Sequence, residues 1–240
     1  MVAAPVSPLE RQQLRSVRAA RPTYWHRTRF ALLADQARRF GVTAIHDLGA
    51  GAGLLGDWLA VEQPALTYRF EEPSPVLHDA LVARFGAAAA VEPDEPIPAG
   101  TLVAMLDVLE HIEDDAGALA ALHARMAPAA PLVVTVPAMQ WAFSSWDTEL
   151  GHHRRYSPRR LKVDLSTAGF DPQSVTYLFP ELFPLLVARK LRRAPRRQVD
   201  FPELSPRLDA LGHRVAAATT SARRLWPVGT SVVAVATRRP

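Results

Sequence analysis

The sequence predicts an α/β protein with a mainly parallel, doubly wound sheet, and three observations carry that prediction. Short apolar runs alternate with helical stretches along most of the 240 residues, the pattern of parallel strands joined by crossover helices. The first strand-like run turns through alternate glycines, Asp47-Leu48-Gly49-Ala50-Gly51-Ala52-Gly53, straight into a helical stretch, so the chain reverses tightly where a ligand can approach the backbone. Later helices carry start signals such as Ser74-Pro75 and Ser157-Pro158, a capping hydroxyl followed by proline in the first turn.

In order, residues 1–22 read as an arm, and 23–40 as a helix carrying Trp25, Phe30, Leu32, Leu33 and Phe40. Strand runs follow at 42–48, 67–71, 88–91, 101–106, 131–136, 174–178 and 230–237. Helical stretches lie after the glycines to Val61, from Pro75 to Phe85, from Asp114 to Met126 and from Pro158 to Ala168, the last stopped by Gly169. Residues 138–156 are irregular, aromatic and charged. Residues 184–226 read as a helical insertion or cap before the last strand. The expected organisation is an arm and lid helix over 1–40 and one ligand-binding domain over 41–240.

Composition narrows the function. Hydrophobic residues make up 48% and charged residues 22%, the balance of an ordinary globular protein. The absence of cysteine excludes disulfides, a thiolate nucleophile and cysteine-ligated metal. No run is apolar and long enough to span a bilayer, and no leader-like segment opens the chain, so a cytoplasmic protein is expected. The formal charge is +4, with Arg189, Lys190, Arg192, Arg193, Arg196 and Arg197 crowded behind an apolar stretch. An apolar segment running into a basic one, over 178–197, suits peripheral contact with a membrane or a lipid-like substrate; it equally suits a solvated helix face with snorkelling arginines. The cluster lacks interleaved aromatics, so no nucleic-acid partner is expected.

Gly51-Ala52-Gly53-Leu54-Leu55-Gly56 formally satisfies the dinucleotide fingerprint G-x-G-x-x-G, which makes a nicotinamide-dependent oxidoreductase one reading. Asp47 argues against it, because a carboxylate ahead of the glycines repels a pyrophosphate and suits a ligand bearing a cation.

Asp47-x-Gly49-x-Gly51-x-Gly53 instead resembles motif I of the class I S-adenosylmethionine-dependent methyltransferases. Glu71-Glu72, closing the second strand, stands where that superfamily places its ribose-holding acid. Leu106-Asp107-Val108-Leu109-Glu110-His111 matches the D-V-L-E-H run of its small-molecule branch. Thr23-Tyr24-Trp25-His26-Arg27, Trp146-Asp147 and Gly151-His152-His153-Arg154-Arg155-Tyr156 are similar to a bacterial group with a G-H-x-R-R-Y signature, within methyltransferase types 11, 12 and 23.

The resemblance implies a Rossmann-like, seven-stranded sheet with an antiparallel last strand and an N-terminal helical lid. It implies S-adenosyl-L-methionine as cofactor, S-adenosyl-L-homocysteine as product and no metal. Asp47, Gly49, Gly51, Gly53 and Glu72 are the expected cofactor residues, with Glu92 near the adenine and Asp107 and Leu109 contributing through backbone. His152 and His111 are candidate general bases, since an imidazole is a fitting acceptor for the proton of an alcohol, phenol or amine. Tyr24, Trp25, Trp146, Arg154, Arg155 and Tyr156 are candidate substrate contacts; the two arginines are equally suited to bracing the loop against Asp147 or Glu149. Glu110 is read as either structural or functional. The absence of an Asn-Pro-Pro-Tyr-type run argues against methylation of a nucleobase or glutamine amine. The expected acceptor is a small or lipid-like molecule, methylated most often at oxygen; a methyltransferase-like module that binds without catalysing is the rival reading.

Overall fold

The computed structural model describes Gln13, residues 22–191 and residues 204–240. The rest of the expected N-terminal arm and the arginines at 192, 193, 196 and 197 lie outside the described residues.

Six strands form one sheet: β1 (Ala44–Leu48), β2 (Thr67–Glu71), β3 (Thr101–Leu106), β4 (Pro131–Pro137), β5 (Phe170–Leu178) and β6 (Ser231–Arg238), in the order β2-β1-β3-β4-β6-β5. The pairs β1–β2, β1–β3 and β3–β4 are parallel, and β6 runs antiparallel to both β4 and β5. The expected antiparallel last strand is therefore present. The expected strand at 88–91 is not. Ala87–Ala89 form a single 3₁₀ turn, and Ala90 makes one parallel bridge to Phe70. A run of alanines offers little side chain to pack across a pleated surface, so pairing stops after one bridge and the sheet has six strands among the described residues. The strand β5 begins four residues earlier than its apolar run because it is an edge strand, where Pro172 is tolerated at a register shift.

The helices are α1 (Tyr24–Phe40), α2 (Leu54–Glu62), α3 (Pro75–Phe85), α4 (Asp115–Arg125), α5 (Ser145–Glu149), α6 (Pro158–Thr167), α7 (Phe183–Leu191) and α8 (Pro206–Ser221). Their ends follow local chemistry. Gly41 closes α1 in the left-handed conformation, and Ser74 and Ser157 accept from the backbone N–H three residues on, each followed by proline. Leu119, Leu122, Leu161 and Leu165 of α4 and α6 pack in one apolar core with Val134 and Ala234 of the sheet. Phe30, Leu33 and Leu59 of α1 and α2, with Ala216 of α8, pack in the other around Ile45, Leu102 and Val233.

The helix expected as a lid is thus built into a core, with Leu33 and Ala37 buried. It also anchors part of the expected insertion. The backbone N–H of Tyr24 donates to Asp209 Oδ1 at 2.7 Å, Arg27 pairs with Asp209, and the Tyr24 ring lies against Gly212. No described helix is long and apolar enough to cross a membrane. Because β1 is flanked by β2 and β3, the chain order reverses there, and the crevice beyond the carboxyl ends of these strands is where open α/β sheets bind ligands. Asp47 and the glycines leave β1 at that end, and Asp107 leaves β3.

Candidate functional site

The cofactor side is made largely of backbone. Gly49, Gly51 and Gly53 all have positive φ, at 75°, 56° and 71°. The backbone N–H groups of Gly49 and Ala50 donate to the carbonyl of Glu71 at 2.9 and 3.1 Å, folding the loop onto the end of β2. Two of the glycines serve different purposes. A Cβ on Gly51 would stand 2.9 Å from Nε2 of Gln13, the flexible end of a side chain, whereas one on Gly53 would stand 2.5 Å from Leu81 and 2.8 Å from Phe85 in the packing of α3. The third glycine holds helix against loop; the second leaves an approach to the main chain.

Two carboxylates flank this loop. Asp47 is buried and accepts from the Tyr68 hydroxyl at 3.0 Å. Burial pushes its carboxyl up to about 7, against the Tyr68 hydrogen bond and with help from the charge of Glu72. Glu72 lies across the loop, its Oε2 accepting from the Gly51 N–H at 2.7 Å and its Oε1 from the Ser74 N–H at 2.9 Å. Glu71 does other work. It accepts from Arg125 through both oxygens and stands 2.7 Å from His46 Nε2; burial opposes ionisation, but these partners hold its carboxyl below the usual range. Of the two adjacent acids, Glu72 is the one turned to the glycine loop. An acid for a cation, an acid beside a glycine turn and backbone N–H groups suit the amino acid and ribose parts of S-adenosylmethionine.

Asp107 sits beyond β3 with φ of 58°, a left-handed conformation that Asp tolerates better than most residues. It is held on every side: its N–H donates to the Thr135 carbonyl at 2.9 Å, Thr135 Oγ1 donates to Oδ1 at 3.1 Å, and Arg29 of α1 pairs with Oδ2. Arg29 was not among the residues expected from sequence; His26, part of the N-terminal signature, has its imidazole driven down to about 3 by burial and by Arg29. Leu109 is fully buried, its carbonyl accepting from Tyr156 at 3.4 Å, so its side chain belongs to the core. Glu92 is exposed beyond the bridge at Ala90, its N–H turned to Glu95 Oε1 at 3.4 Å.

The part of the crevice around Asp147 and His152, where the acceptor was expected, is made of side-chain networks. Asp147 is fully buried. It accepts from the Ser144 N–H and hydroxyl at 2.9 and 3.2 Å, from His152 Nδ1 at 3.1 Å, and from Arg155 Nε and a terminal nitrogen at 2.7 and 3.1 Å. Burial would raise its carboxyl, but these donors win and bring it down to about 2. Asp115 gathers the second network: it accepts from Tyr156 at 2.8 Å and pairs with Arg154 at 2.9 Å and Arg160 at 3.1 Å. Arg154 also donates to the carbonyls of Ile112 and Glu113. Arg154, Arg155 and Tyr156 were candidate substrate contacts; the structure commits both guanidinium groups to bracing and buries Tyr156 completely. Tyr24, another candidate, is turned to α8, and Trp25 packs edge-on against it. Trp146 carries Arg189 of α7 over its ring at 4.9 Å.

These networks bring His111 and His152 together, ring centroids 4.6 Å apart and nearly perpendicular. Burial and the neighbouring His152 lower His111 to about 4, while Asp107 and a hydrogen bond with the Gly151 backbone act the other way. His153 is exposed, as its variable position implies. Beside the pair lies Glu110, fully buried, with neither carboxylate oxygen hydrogen-bonded to another described residue. Burial and Asp107 hold its carboxyl far above the usual range. One ligand atom from each of Glu110, His111 and His152 falls within 4.8 Å of the others. The resemblance implied no metal, and His152 stands 41 residues beyond His111 in the sequence.

The family model described as a methyltransferase domain, type 23, matches residues 21–175. No curated protein matches the sequence significantly. Among solved structures, the [4+2]-cyclase SpnF shares 17% identity over 98% of each chain with a TM-score of 0.57. The N-methyltransferase NodS from Bradyrhizobium japonicum, in complex with S-adenosyl-L-homocysteine, shares 12% over 98% of this chain and 100% of its own, with a TM-score of 0.55. Phosphoethanolamine N-methyltransferase 2 from Haemonchus contortus, in complex with S-adenosyl-L-methionine, shares 15% over 86% of this chain and 53% of its own, with a TM-score of 0.52. Identities this low speak for the fold alone. The family match covers more than half of the chain and includes the glycine loop, Glu72 and the turn at Glu110-His111; the chain belongs to the methyltransferase-domain family and is an S-adenosylmethionine-dependent methyltransferase.

Proposed function

We propose that the protein methylates a small or lipid-like acceptor at oxygen. S-adenosylmethionine supplies the electrophilic methyl group when bound, so the protein's task is to align the reactants and exclude water. Asp47 meets the cofactor's ammonium, Glu72 its ribose, and the glycine loop lets both lie against the backbone. Two residues from the N-terminal part of the chain reach the same place: Arg29 of α1 fixes Asp107, and the Gln13 side chain lies beside Gly51.

The observation that carries the acceptor reading is the His111–His152 pair. Asp147 accepts a hydrogen bond from His152 Nδ1, which leaves Nε2 as the nitrogen free to meet an acceptor proton. The acceptor hydroxyl sheds its proton at this pair. The lipid-like character is supported by α7, which buries none of its residues yet exposes Leu185 and Leu191 beside Arg189 and Lys190. The Lys190 ammonium donates to the Phe143 carbonyl at 2.8 Å, tying that helix to the acceptor-side segment. Peripheral contact with an anionic membrane follows from the same face.

The test is transfer of isotope-labelled methyl from S-adenosylmethionine to panels of phenols, carboxylic acids, hydroxylated lipids and amines, read by mass spectrometry. O-methyl products that wild type forms and His152→Ala does not form support the reading. Methylation confined to amines overturns oxygen as the acceptor atom. Tight S-adenosylhomocysteine binding with no transfer to any class favours the non-catalytic module.

A further inference from the structure

A buried glutamate can be ionised only beside a hydrogen-bond donor or a cation. Glu110 is fully buried, and no other described residue donates a hydrogen bond to either oxygen. The two nearest guanidinium groups are already committed, Arg29 to Asp107 and Arg155 to Asp147. What Glu110 does have beside it is a pair of imidazoles.

The imidazoles are oriented as metal ligands are. His152 turns Nδ1 to a buried carboxylate, 3.1 Å away, that is itself clamped by Ser144 and Arg155, so Nε2 is the ring nitrogen left for another ligand. That carboxylate–histidine arrangement is the usual outer support of a metal-bound imidazole. Nδ1 of His111 lies on the Gly151 side of the pair, 3.9 Å from where a Cβ on that glycine would stand. The three ligand atoms lie within 4.8 Å of one another; around an ion with bonds of about 2.1 Å such atoms stand roughly 3–4 Å apart, so small side-chain rotations close the set. Two nitrogens and one carboxylate oxygen favour zinc, iron(II), cobalt or manganese over magnesium or calcium, and three protein ligands leave positions open.

We propose that Glu110, His111 and His152 hold a divalent transition-metal ion on the acceptor side of the methyl-transfer site. The proposal deepens the reading given above, since it rests on the acceptor oxygen standing at the histidine pair. The ion would supply a positive charge beside Glu110, so that its carboxyl binds as the carboxylate, and would offer an open position to that oxygen, whose proton then leaves to solvent as the anion forms. The histidines then act as ligands, and neither is itself the base.

The test uses protein stripped with a chelator, any affinity tag removed, and titrated with Co²⁺ alone while the visible d–d absorption is followed. Wild type is expected to saturate at one Co²⁺ per chain and to lose the spectrum when Zn²⁺ is added. The isosteric Glu110→Gln and His152→Gln variants are expected to weaken binding by at least about tenfold. S-adenosylhomocysteine binding, measured on the same preparations, reports that the variants are folded. No saturable Co²⁺ spectrum in wild type overturns the metal site, as does an unchanged spectrum and affinity in both variants. Neither result touches the methyltransferase reading, which fails separately if wild type does not bind S-adenosylhomocysteine.

Discussion

The two halves of the site are built by different means. On the cofactor side, position is set by main chain: positive-φ glycines, N–H groups folded onto Glu71, and a carboxylate at each strand end. On the acceptor side, position is set by ion pairs between residues far apart in sequence, with Asp147 and Asp115 as hubs. The first arrangement tolerates change in most side chains but not in the glycines. The second fails as a unit when a hub is lost. A conserved cofactor and a variable acceptor would be served by this division.

The sharpest way to break the comparison is Asp147→Ala. It orphans Arg155 and releases His152 and the α5 start together, so it is expected to cost on the order of 3–5 kcal/mol of stability. Methyl transfer should fall on the order of 100-fold from misplacement alone. If the halves are independent, S-adenosylhomocysteine affinity measured by calorimetry stays within about twofold; a comparable loss there would mean that the two sides are one network. Next in size is Gly53→Ala. The side chain would enter the packing of Leu81 and Phe85 at φ 71°, and a loss of about 3 kcal/mol in denaturant unfolding is expected. Gly51→Ala meets only the end of Gln13, so its stability cost should be about 1–2 kcal/mol, with the larger effect on cofactor affinity. Equal stability losses in the two variants would contradict the division of labour between these glycines.

That difference also explains what was legible in the sequence. A backbone device needs contiguous residues, so Asp47 to Gly53 and the acid 19 residues beyond Gly53 stand out along the chain. The ladders of β2 and β3 match their apolar runs for the same local reason. A hub needs residues that only the fold unites. Arg154 and Arg155 were visible as a pair and Asp147 as one partner for bracing, but Asp115 was not, and nothing linear distinguishes a clamp from a brace. Asp147 left one local trace, the Ser144-x-x-Asp147 capping box. The strand expected at 88–91 misled for the opposite reason: its spacing was right, and its alanines could not sustain a ladder. Arg29 and Tyr68 left no signal, since each acts through a single carboxylate on another element.

A smaller effect sharpens the cofactor side. The Asp47 carboxyl is raised by burial to about 7 in the folded protein, so between about pH 4 and pH 7 the folded state holds a proton that the unfolded state has lost. Stability of the free protein therefore falls as pH rises through that window. A cationic ligand reverses the balance by favouring the carboxylate. S-adenosylhomocysteine affinity is expected to rise about tenfold from pH 6 to pH 8, following the ionised fraction of a group with this midpoint. Asp47→Asn should remove the dependence and raise the melting temperature of the free protein at pH 8. An affinity flat across this range in wild type would show that Asp47 does not meet the cofactor's charge.

The least of the expected effects tests the residue behind that carboxylate. The Tyr68 hydroxyl donates to Asp47 Oδ2 at 3.0 Å and opposes the upward pull of burial. Tyr68→Phe removes a hydrogen bond to the charged form and nothing else of size, since the ring stays in place against Phe70 and Phe85. A hydrogen bond worth about 1 kcal/mol corresponds to a rise of about 0.7 in the Asp47 midpoint. Affinity for S-adenosylhomocysteine should then drop about threefold at pH 7 and recover almost fully by pH 8.5, where the carboxyl is ionised in either protein. A purely structural role for Tyr68 would give a loss independent of pH. The shape of the profile, more than its size, decides whether this tyrosine tunes the acid or merely fills the space beside it.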